Sequence, residues 1–129
     1  MKNQKIIFAC VHNAGRSQMA AAFYNSLTES KNGISAGTQP GECVHPEVVT
    51  VMKEMGIDLS NVKPQLLTED LVQTADMLVT MGCGESCPHA PGLKREDWPL
   101  IDPKGKPLEE VRAIRDTIKS KVQTLISDV

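Results

Sequence analysis

The sequence predicts an α/β fold: a three-layer sandwich with a central four-stranded parallel sheet and helices on both faces. The main observation is that short apolar runs alternate with longer amphipathic segments, a pattern typical of right-handed strand–helix–strand crossovers. A length of 129 residues fits one domain with a core of its own. We therefore expect a single domain over residues 1–129, without internal repeats.

The first strand is predicted over residues 5–9, an apolar run that leads to the turn-forming residues Asn13-Ala14-Gly15. Apolar side chains then recur at helical spacing to about residue 30. Because Ser17 stands at the start of this helical segment, we expect its hydroxyl to cap the helix.

The middle of the chain continues the alternation. A second strand is predicted over residues 33–38, and a helix over 46–55 follows it. Gly56 stands where a left-handed residue commonly ends a helix. A short strand over 63–67 and a helical turn over 69–73 come next, so four strands are expected when the last one is included.

That last strand is predicted over residues 76–81. Residues 82–106 hold four prolines and four glycines, so we expect a long irregular loop of the kind that is usually functional or disordered. A terminal helix begins at Pro107 with an apolar stripe on one face. Its charged residues, Arg112 and Arg115 among them, are expected on a solvated face.

The charge and the cysteine content exclude several classes of function. A net charge of −2, from 14 basic and 16 acidic residues, gives no broad basic surface for nucleic acid or anionic lipid. No leader pattern is visible and no apolar run approaches the roughly 20 residues of a membrane span. We expect a cytoplasmic protein without nucleic-acid, membrane or cofactor partners. In such a reducing compartment, four cysteines favour catalysis, redox chemistry or metal binding.

A candidate nucleophile stands after the first predicted strand, where Cys10 is followed by five residues and then Arg16. A glycine-containing loop that leads into a helix can turn successive N–H groups inward around an anion. That environment, together with Arg16 and the Ser17 hydroxyl, favours the thiolate form of Cys10. The alternative is a packed core thiol with a surface arginine nearby. The candidate oxyanion ligands are Val11, His12, Asn13, Ala14, Gly15, Arg16 and Ser17.

Residues 10–20 (CVHNAGRSQMA) resemble the phosphate-binding loop of the low-molecular-weight protein tyrosine phosphatase family, and most closely that of arsenate reductases with this fold. The resemblance covers most of the chain, because residues 35–38 and 79–83 resemble further strand ends of the family and 97–103 resembles its acid loop. It implies that Asp102 is the general acid that protonates a departing oxygen. From the residues alone, Asp102 and its proline form an ordinary turn, and Asp97 is a second candidate.

Two features favour reduction of arsenate over hydrolysis of phosphate esters. Tyrosine phosphatases of this family enclose a phenyl ring between aromatic side chains, often just after the Asp-Pro pair, whereas Lys104-Gly105-Lys106 follows it here and the chain has four aromatic residues in all. The chain also offers Cys83 and Cys87 as a source of the two electrons that arsenate requires.

The resemblance implies a relay in which Cys83 attacks the adduct on Cys10, and Cys87 then forms a Cys83–Cys87 disulfide for thioredoxin to reduce. The thioredoxin-coupled relatives have a wider gap than the three residues found here, so transfer of the adduct to mycothiol or glutathione, without Cys87, is an alternative. A low-molecular-weight tyrosine phosphatase is another. A fourth interpretation is a metal-binding or sensing module with Cys83, Cys87 and His89 as ligands.

Overall fold

The computed structural model describes residues 5–28, 32–81 and 93–128. Within these ranges it contains a four-stranded parallel sheet with helices on both faces, which confirms the predicted fold class. The strands are β1 (Ile6–Cys10), β2 (Gly33–Gly37), β3 (Met77–Thr80) and β4 (Lys94–Asp97), and the helices are α1 (Arg16–Leu27), α2 (Pro46–Lys53), α3 (Glu69–Gln73) and α4 (Leu108–Asp128).

The sheet has the strand order β2-β1-β3-β4, and all three pairings are parallel. In register, Cys10 lies beside Gly37 at the end of β2, and Thr80 lies beside Asp97 at the end of β4. The carboxyl ends of the strands therefore meet at one edge. In open parallel sheets, this edge is where ligands bind.

The side chains of β1 alternate between two cores because successive residues of a strand point to opposite faces. Ile6, Phe8 and Cys10 belong to the larger core, which α1, α2 and α4 cover. Ile7 and Ala9 belong to a smaller core on the other face, where α3 packs. Every residue of β1 is buried, so each large apolar side chain contributes about 1.5–3 kcal/mol of transfer free energy.

One strand prediction and one loop prediction are wrong. Residues 63–67 form no strand, and within them a single bridge joins Leu66 to Gly37. The fourth strand is instead β4, which lies inside the loop predicted over residues 82–106. Its sequence is Lys-Arg-Glu-Asp and three of the four residues are exposed. A charged edge strand carries no apolar pattern, so its pairing with β3 could not be read from hydrophobicity.

The helix ends follow local chemistry, with one exception. Gly56, just beyond α2, adopts φ +79° as expected of a residue that ends a helix. Gly15 precedes α1 as its N-cap, so Ser17 lies inside the first turn and does not cap the helix as predicted. Its hydroxyl makes other bonds, described below. Among the described helices, none combines the length and apolar character that crossing a bilayer would require.

The arginines of α4 fasten that helix to the end of α2. Arg115 is 8% exposed, and its Nη1 donates to the carbonyl of Val51 and to Glu54, both at 2.9 Å. Arg112 donates to the same carboxylate at 2.7 Å. The expectation of a wholly solvated charged face is therefore wrong for Arg115, whose guanidinium satisfies a helix-end carbonyl.

Candidate active site

The Cys10 sulfur lies at the carboxyl end of β1, and the residue is 2% exposed. Two donors from the following loop surround it. The Ser17 hydroxyl oxygen lies 2.9 Å from Sγ, and the backbone N–H of Asn13 donates to Sγ at 3.3 Å. The sequence prediction that Cys10 and Ser17 share one site therefore corresponds to a direct contact in the structure.

The direction of the Ser17 bond follows from its other partner. The Asn13 side-chain amide donates from Nδ2 to Ser17 Oγ at 2.7 Å. Because Ser17 Oγ accepts this bond, its own hydrogen is available to donate to Cys10 Sγ. The Ser17 hydroxyl and the Asn13 N–H thus place two donors at the nucleophilic atom.

Asn13 is held in a left-handed conformation with φ 52°, which asparagine tolerates better than most residues. Its side-chain oxygen accepts from the backbone N–H of Gln65 at 2.9 Å and from Gln18 Nε2 at 3.2 Å. Gln18 Nε2 also donates to the Asn13 carbonyl at 3.0 Å. With Oδ1 occupied by two donors, the amide nitrogen of Asn13 is directed to Ser17.

Sequence reasoning missed both glutamines. Gln18 directly follows the last predicted oxyanion ligand, and this position was the one signal that the sequence offered. Its side chain is buried in the structure. Gln65 lies 52 residues away from Asn13, and it acts through its backbone N–H. No side-chain pattern in the sequence carries that information.

The carbonyl groups of loop 10–17 are held from outside by segment 38–45. In a trans peptide, the C=O and the following N–H point in opposite directions, so outward carbonyls turn the next amides inward. The Asn13 N–H that reaches Cys10 Sγ is one such amide. The four backbone bonds, of 2.8–3.3 Å, run from Thr38 to Cys10, from Gln39 to Val11, from Gly41 to His12 and from His45 to Ala14.

His12 and the start of α1 complete the loop. The His12 ring nitrogen Nδ1 lies 3.1 Å from the carbonyl of Gln39, so the ring bonds to the outer segment. Its contribution to an anion site would come from the backbone. The first turn of α1 adds N–H groups that have no acceptor within the helix and a partial positive charge. The geometry fits the predicted anion nest.

Arg16 is 7% exposed and has one polar atom without a partner. Its Nη1 donates to the carbonyl of Leu100 at 3.0 Å, and its Nη2 lies 3.8 Å from Asp102 Oδ2. Its Nε is buried and has no hydrogen-bond partner among the described residues. Buried donors are nearly always satisfied, so an unpaired Nε beside the loop indicates a missing acceptor such as an oxyanion oxygen.

Asp102 is the acidic residue that the structure places beside Arg16. Its side chain is 43% exposed, and its Oδ1 accepts from the N–H of Lys104 at 3.0 Å. The adjacent Pro103 packs on the loop so closely that a Cβ added to Gly15 would lie 2.8 Å from its Cγ. Asp97, the second candidate, instead accepts from Thr80 Oγ1 at 2.6 Å at the end of the sheet.

The other predicted residues divide into two groups. Cys83, Cys87 and His89 lie outside the described residues, so the relay and the metal-module alternative both concern a part of the chain that the structure does not describe. Cys43 is exposed, in the segment that holds the loop carbonyls. Within the described ranges, no three His, Cys, Asp or Glu side chains converge as metal ligands do.

All four aromatic side chains of the chain lie in its core. None is more than 3% exposed, so each ring is used almost wholly in core packing. They are Phe8, Phe23, Tyr24 and Trp98.

A thiol, an anion nest, an arginine and a carboxyl group together can carry out nucleophilic displacement at a tetrahedral oxyanion. Comparison with known proteins agrees. A protein of Halobacterium salinarum, provisionally named an arsenate reductase, is 41% identical over 130 residues, which are 96% of this chain and 92% of that protein. An arsenate reductase of Staphylococcus aureus strain Newman is 35% identical over 132 residues, 98% of this chain and 99% of its own.

Solved structures give the same fold. A thioredoxin-dependent arsenate reductase of Corynebacterium glutamicum is 36% identical with a TM-score of 0.82; the match covers 95% of this chain, which spans 60% of that longer chain. A low-molecular-weight protein tyrosine phosphatase from T. tengcongensis is 25% identical with a TM-score of 0.87, and covers 98% and 99% of the two chains. Backbone similarity therefore does not separate reductases from phosphatases.

The family model that matches is described as low molecular weight phosphotyrosine protein phosphatase, and it matches residues 5–129. The match includes β1, loop 10–17 and the Asp102 region, on which the resemblance was based. The chain therefore belongs to the low-molecular-weight protein tyrosine phosphatase family.

Proposed function

We propose that this chain is an arsenate reductase in which Cys10 is the nucleophile and Asp102 the general acid. The observation that separates this function from tyrosine phosphatase activity is the burial of all four aromatic residues. A phenyl ring has no aromatic wall to contact, whereas a bare oxyanion needs the N–H groups and the guanidinium alone. Relatives named arsenate reductase, at 32–41% identity over most of the chain, support the same choice.

In the first step, the Cys10 thiolate attacks arsenic(V) and a sulfur–arsenic bond forms. A hydroxyl group of arsenate takes a proton from Asp102 as its bond to arsenic breaks, and it departs as water. The inward amides of loop 10–17 and Arg16 bind the remaining oxygens. The unpaired Nε of Arg16 supports this role, because it is a donor without an acceptor in the described part of the chain.

In the second step, the Cys83 thiolate attacks the Cys10 sulfur. A disulfide forms, the electron pair of the sulfur–arsenic bond moves to arsenic, and arsenite leaves as arsenic(III). Cys87 then attacks Cys83, so that Cys10 is released as a thiolate and a Cys83–Cys87 disulfide remains. The two electrons come from two thiols, and a dithiol such as thioredoxin restores them.

The burial of Cys10 supports an internal relay. The Cys10 residue is 2% exposed, so a thiol fixed on the surface of another folded protein does not reach it. A cysteine of the same chain or a small free thiol can approach it. An internal cysteine that takes over the disulfide from Cys10 would let thioredoxin reduce that disulfide without entering the site.

Steady-state assays with arsenate and with an aryl phosphate test the function. We expect arsenite formation that Cys10→Ser abolishes and that Cys43→Ser, a control at an exposed cysteine, leaves unchanged. Efficient hydrolysis of aryl phosphate with no arsenite formed would overturn the proposal. Arsenite formation by Cys10→Ser would overturn the choice of nucleophile.

The reductant is tested by supplying thioredoxin, glutathione or mycothiol systems separately. We expect turnover with thioredoxin and its loss in Cys87→Ser, and mass spectrometry after one turnover should find a Cys83–Cys87 disulfide. Full activity of Cys87→Ser with a small thiol, together with an arsenic–thiol product, would replace the internal relay by direct transfer.

A further inference from the structure

The first turn of α2 contacts both parts of the candidate site. The backbone N–H of His45 donates to the carbonyl of Ala14 in loop 10–17 at 2.9 Å. Two residues later, the Glu47 carboxylate accepts from the backbone N–H of Gly105 at 3.1 Å. One rigid helix end therefore connects the anion loop to the turn that carries Asp102.

Residues 102–105 form that turn, which we call the Asp102 turn. It contains its own hydrogen bond, from the N–H of Lys104 to Asp102 Oδ1 at 3.0 Å. Gly105 has φ +73° and is exposed, with no heavy atom within 4 Å of the position where a Cβ would lie. Pro103 packs on Gly15 at the other end of the turn, and the N–H of Lys106 donates to the Pro103 carbonyl at 3.1 Å. At Gly105 no side chain contributes packing, so the bond from its N–H to Glu47 joins this end of the turn to α2.

We propose that Glu47 is a positioning residue for Asp102, holding the Asp102 turn against α2 so that the carboxyl group stays beside Arg16. This inference rests on the proposed function, since it assigns Glu47 to the step in which Asp102 gives up its proton. Glu47 itself contacts Gly105 and not the reacting atoms. The bond is a charge-assisted one, because an ionised carboxylate accepts it.

The ionised state of Glu47 has several causes in the structure. The backbone N–H of Glu47 itself lowers the pKa of its carboxyl, partial burial opposes this, and the N–H of Gly105 and the nearby His45 lower it further. Glu47 lies in the first turn of α2, where a negative charge is also favoured by the helix dipole. The acceptor is therefore charged under ordinary conditions.

Three substitutions separate the hydrogen bond from the charge. Glu47→Gln removes the charge and keeps an oxygen that can accept from Gly105, so we expect kcat within about twofold of wild type. Glu47→Asp keeps the charge and withdraws the oxygen by one carbon–carbon bond, about 1.5 Å. Glu47→Ala removes both. We expect kcat to fall about tenfold in the last two, a part of the 10²–10⁴-fold that general acid catalysis contributes.

Binding of the oxyanion gives the second readout. The inhibition constant of inorganic phosphate against arsenate reports on loop 10–17 and Arg16, so it should stay within about twofold of wild type in all three variants. Glu69→Ala, a change of an exposed glutamate in the first turn of α3, serves as the matched control and should leave kcat unchanged. A smaller folded fraction would also lower the apparent kcat and leave the inhibition constant unchanged, so urea denaturation of the same samples measures the folded fraction separately.

A double-mutant cycle decides whether Glu47 acts through Asp102. In an Asp102→Asn background the general acid is already absent, so Glu47→Ala should lower kcat no further. An undiminished tenfold loss in that background would overturn the inference, as would a wild-type kcat for Glu47→Ala. A loss in Glu47→Gln with none in Glu47→Asp would overturn it too, because charge and not the hydrogen bond would then matter.

These results are distinct from a failure of the proposed function. If the wild-type chain forms no arsenite, the proposed function and the inference that rests on it are both overturned. If the wild-type chain forms arsenite and Glu47→Ala does so at the full rate, the role of Glu47 alone is overturned.

Discussion

Gly37 is the position where a single methyl group should disturb the site most directly. It ends β2 beside Cys10, and a Cβ added there would lie 2.6 Å from the carbonyl oxygen of Val11 and 2.9 Å from the backbone nitrogen of Asn13. Gly37 cannot retreat, because its N–H and C=O are bonded to Gln65 and Leu67 at 2.9 and 2.8 Å. Gly37→Ala must therefore push loop 10–17 away.

The size of the displacement follows from the contact distances. A carbon and a carbonyl oxygen approach to about 3.3 Å. Relief of a 2.6 Å contact therefore requires a shift of about 0.7 Å at Val11. A displacement near 1 Å costs about 10²-fold in rate, so we expect kcat/KM for arsenate to fall about 10- to 100-fold. Overpacking of this kind should also cost about 1–3 kcal/mol in the free energy of unfolding.

Arsenite formation and urea denaturation measure the two effects on the same samples. Gly41→Ala is the matched control, since it adds the same methyl group in segment 38–45. Its Cβ would lie 3.9 Å from the His12 carbonyl oxygen and 4.0 Å from the Ala14 Cβ, both ordinary contacts. We expect Gly41→Ala to resemble wild type in both measurements.

The reasoning is refuted if Gly37→Ala keeps wild-type kcat/KM and stability, because a clash with backbone atoms would then have no consequence. It is also refuted if Gly41→Ala loses as much as Gly37→Ala. That result would mean that any methyl group near loop 10–17 is harmful, whatever its distance.

Three further predictions concern polar groups. Ser17→Ala should slow alkylation of Cys10 by iodoacetamide at neutral pH by about tenfold or more, since a donor to the thiolate is lost; an unchanged rate would contradict this. Arg16→Lys should lower kcat/KM for arsenate by about 100-fold, because lysine lacks the planar fork; kinetics that retain wild-type values would exclude that role. Arg112 and Arg115 lower the pKa of Glu54 from 4.5 to about 2, so this ion pair stabilises the fold above pH 4.5 and is lost as the pH falls towards 2. The stability difference between wild type and Glu54→Gln should therefore disappear over that range, and an undiminished difference near pH 2 in urea denaturation would count against it.

The sequence predicts those elements in which apolar side chains are buried and polar side chains are exposed to water. The apolar run of β1 and the apolar stripe of α4 are consequences of burial, and both appear in the structure. The charged strand β4 is exposed at a sheet edge and is held by backbone bonds to β3, so its side chains gave no signal. The error over residues 63–67 is the opposite one, because a strand was predicted there and the backbone makes a single bridge, from Leu66 to Gly37.

The candidate site divides in a similar way. Cys10, Arg16 and Ser17 lie within eight residues, so their spacing, together with the preceding strand and the following helix, predicted one site. The approach of Asp102 to Arg16 spans 86 residues and depended on the family resemblance. Gln18 was missed because glutamine is common in helices. Its role is visible only once the orientation of the Asn13 side chain is known, since Gln18 donates to Asn13. The bond between the Asp102 turn and Glu47 could not be predicted, because its donor is the backbone N–H of Gly105 and a main-chain N–H has no residue-specific pattern.

The attachment of loop 10–17 to segment 38–45 has a consequence for sequence change. All four bonds are made by main-chain amides of the segment, so they do not depend on its side chains, of which Val44 is buried in the core for a separate reason. Proline is the exception, because it has no N–H to donate; at positions 38, 39, 41 and 45 it would release a carbonyl. Exposed side chains of segment 38–45 can therefore differ among proteins of this fold while loop 10–17 keeps its four backbone bonds.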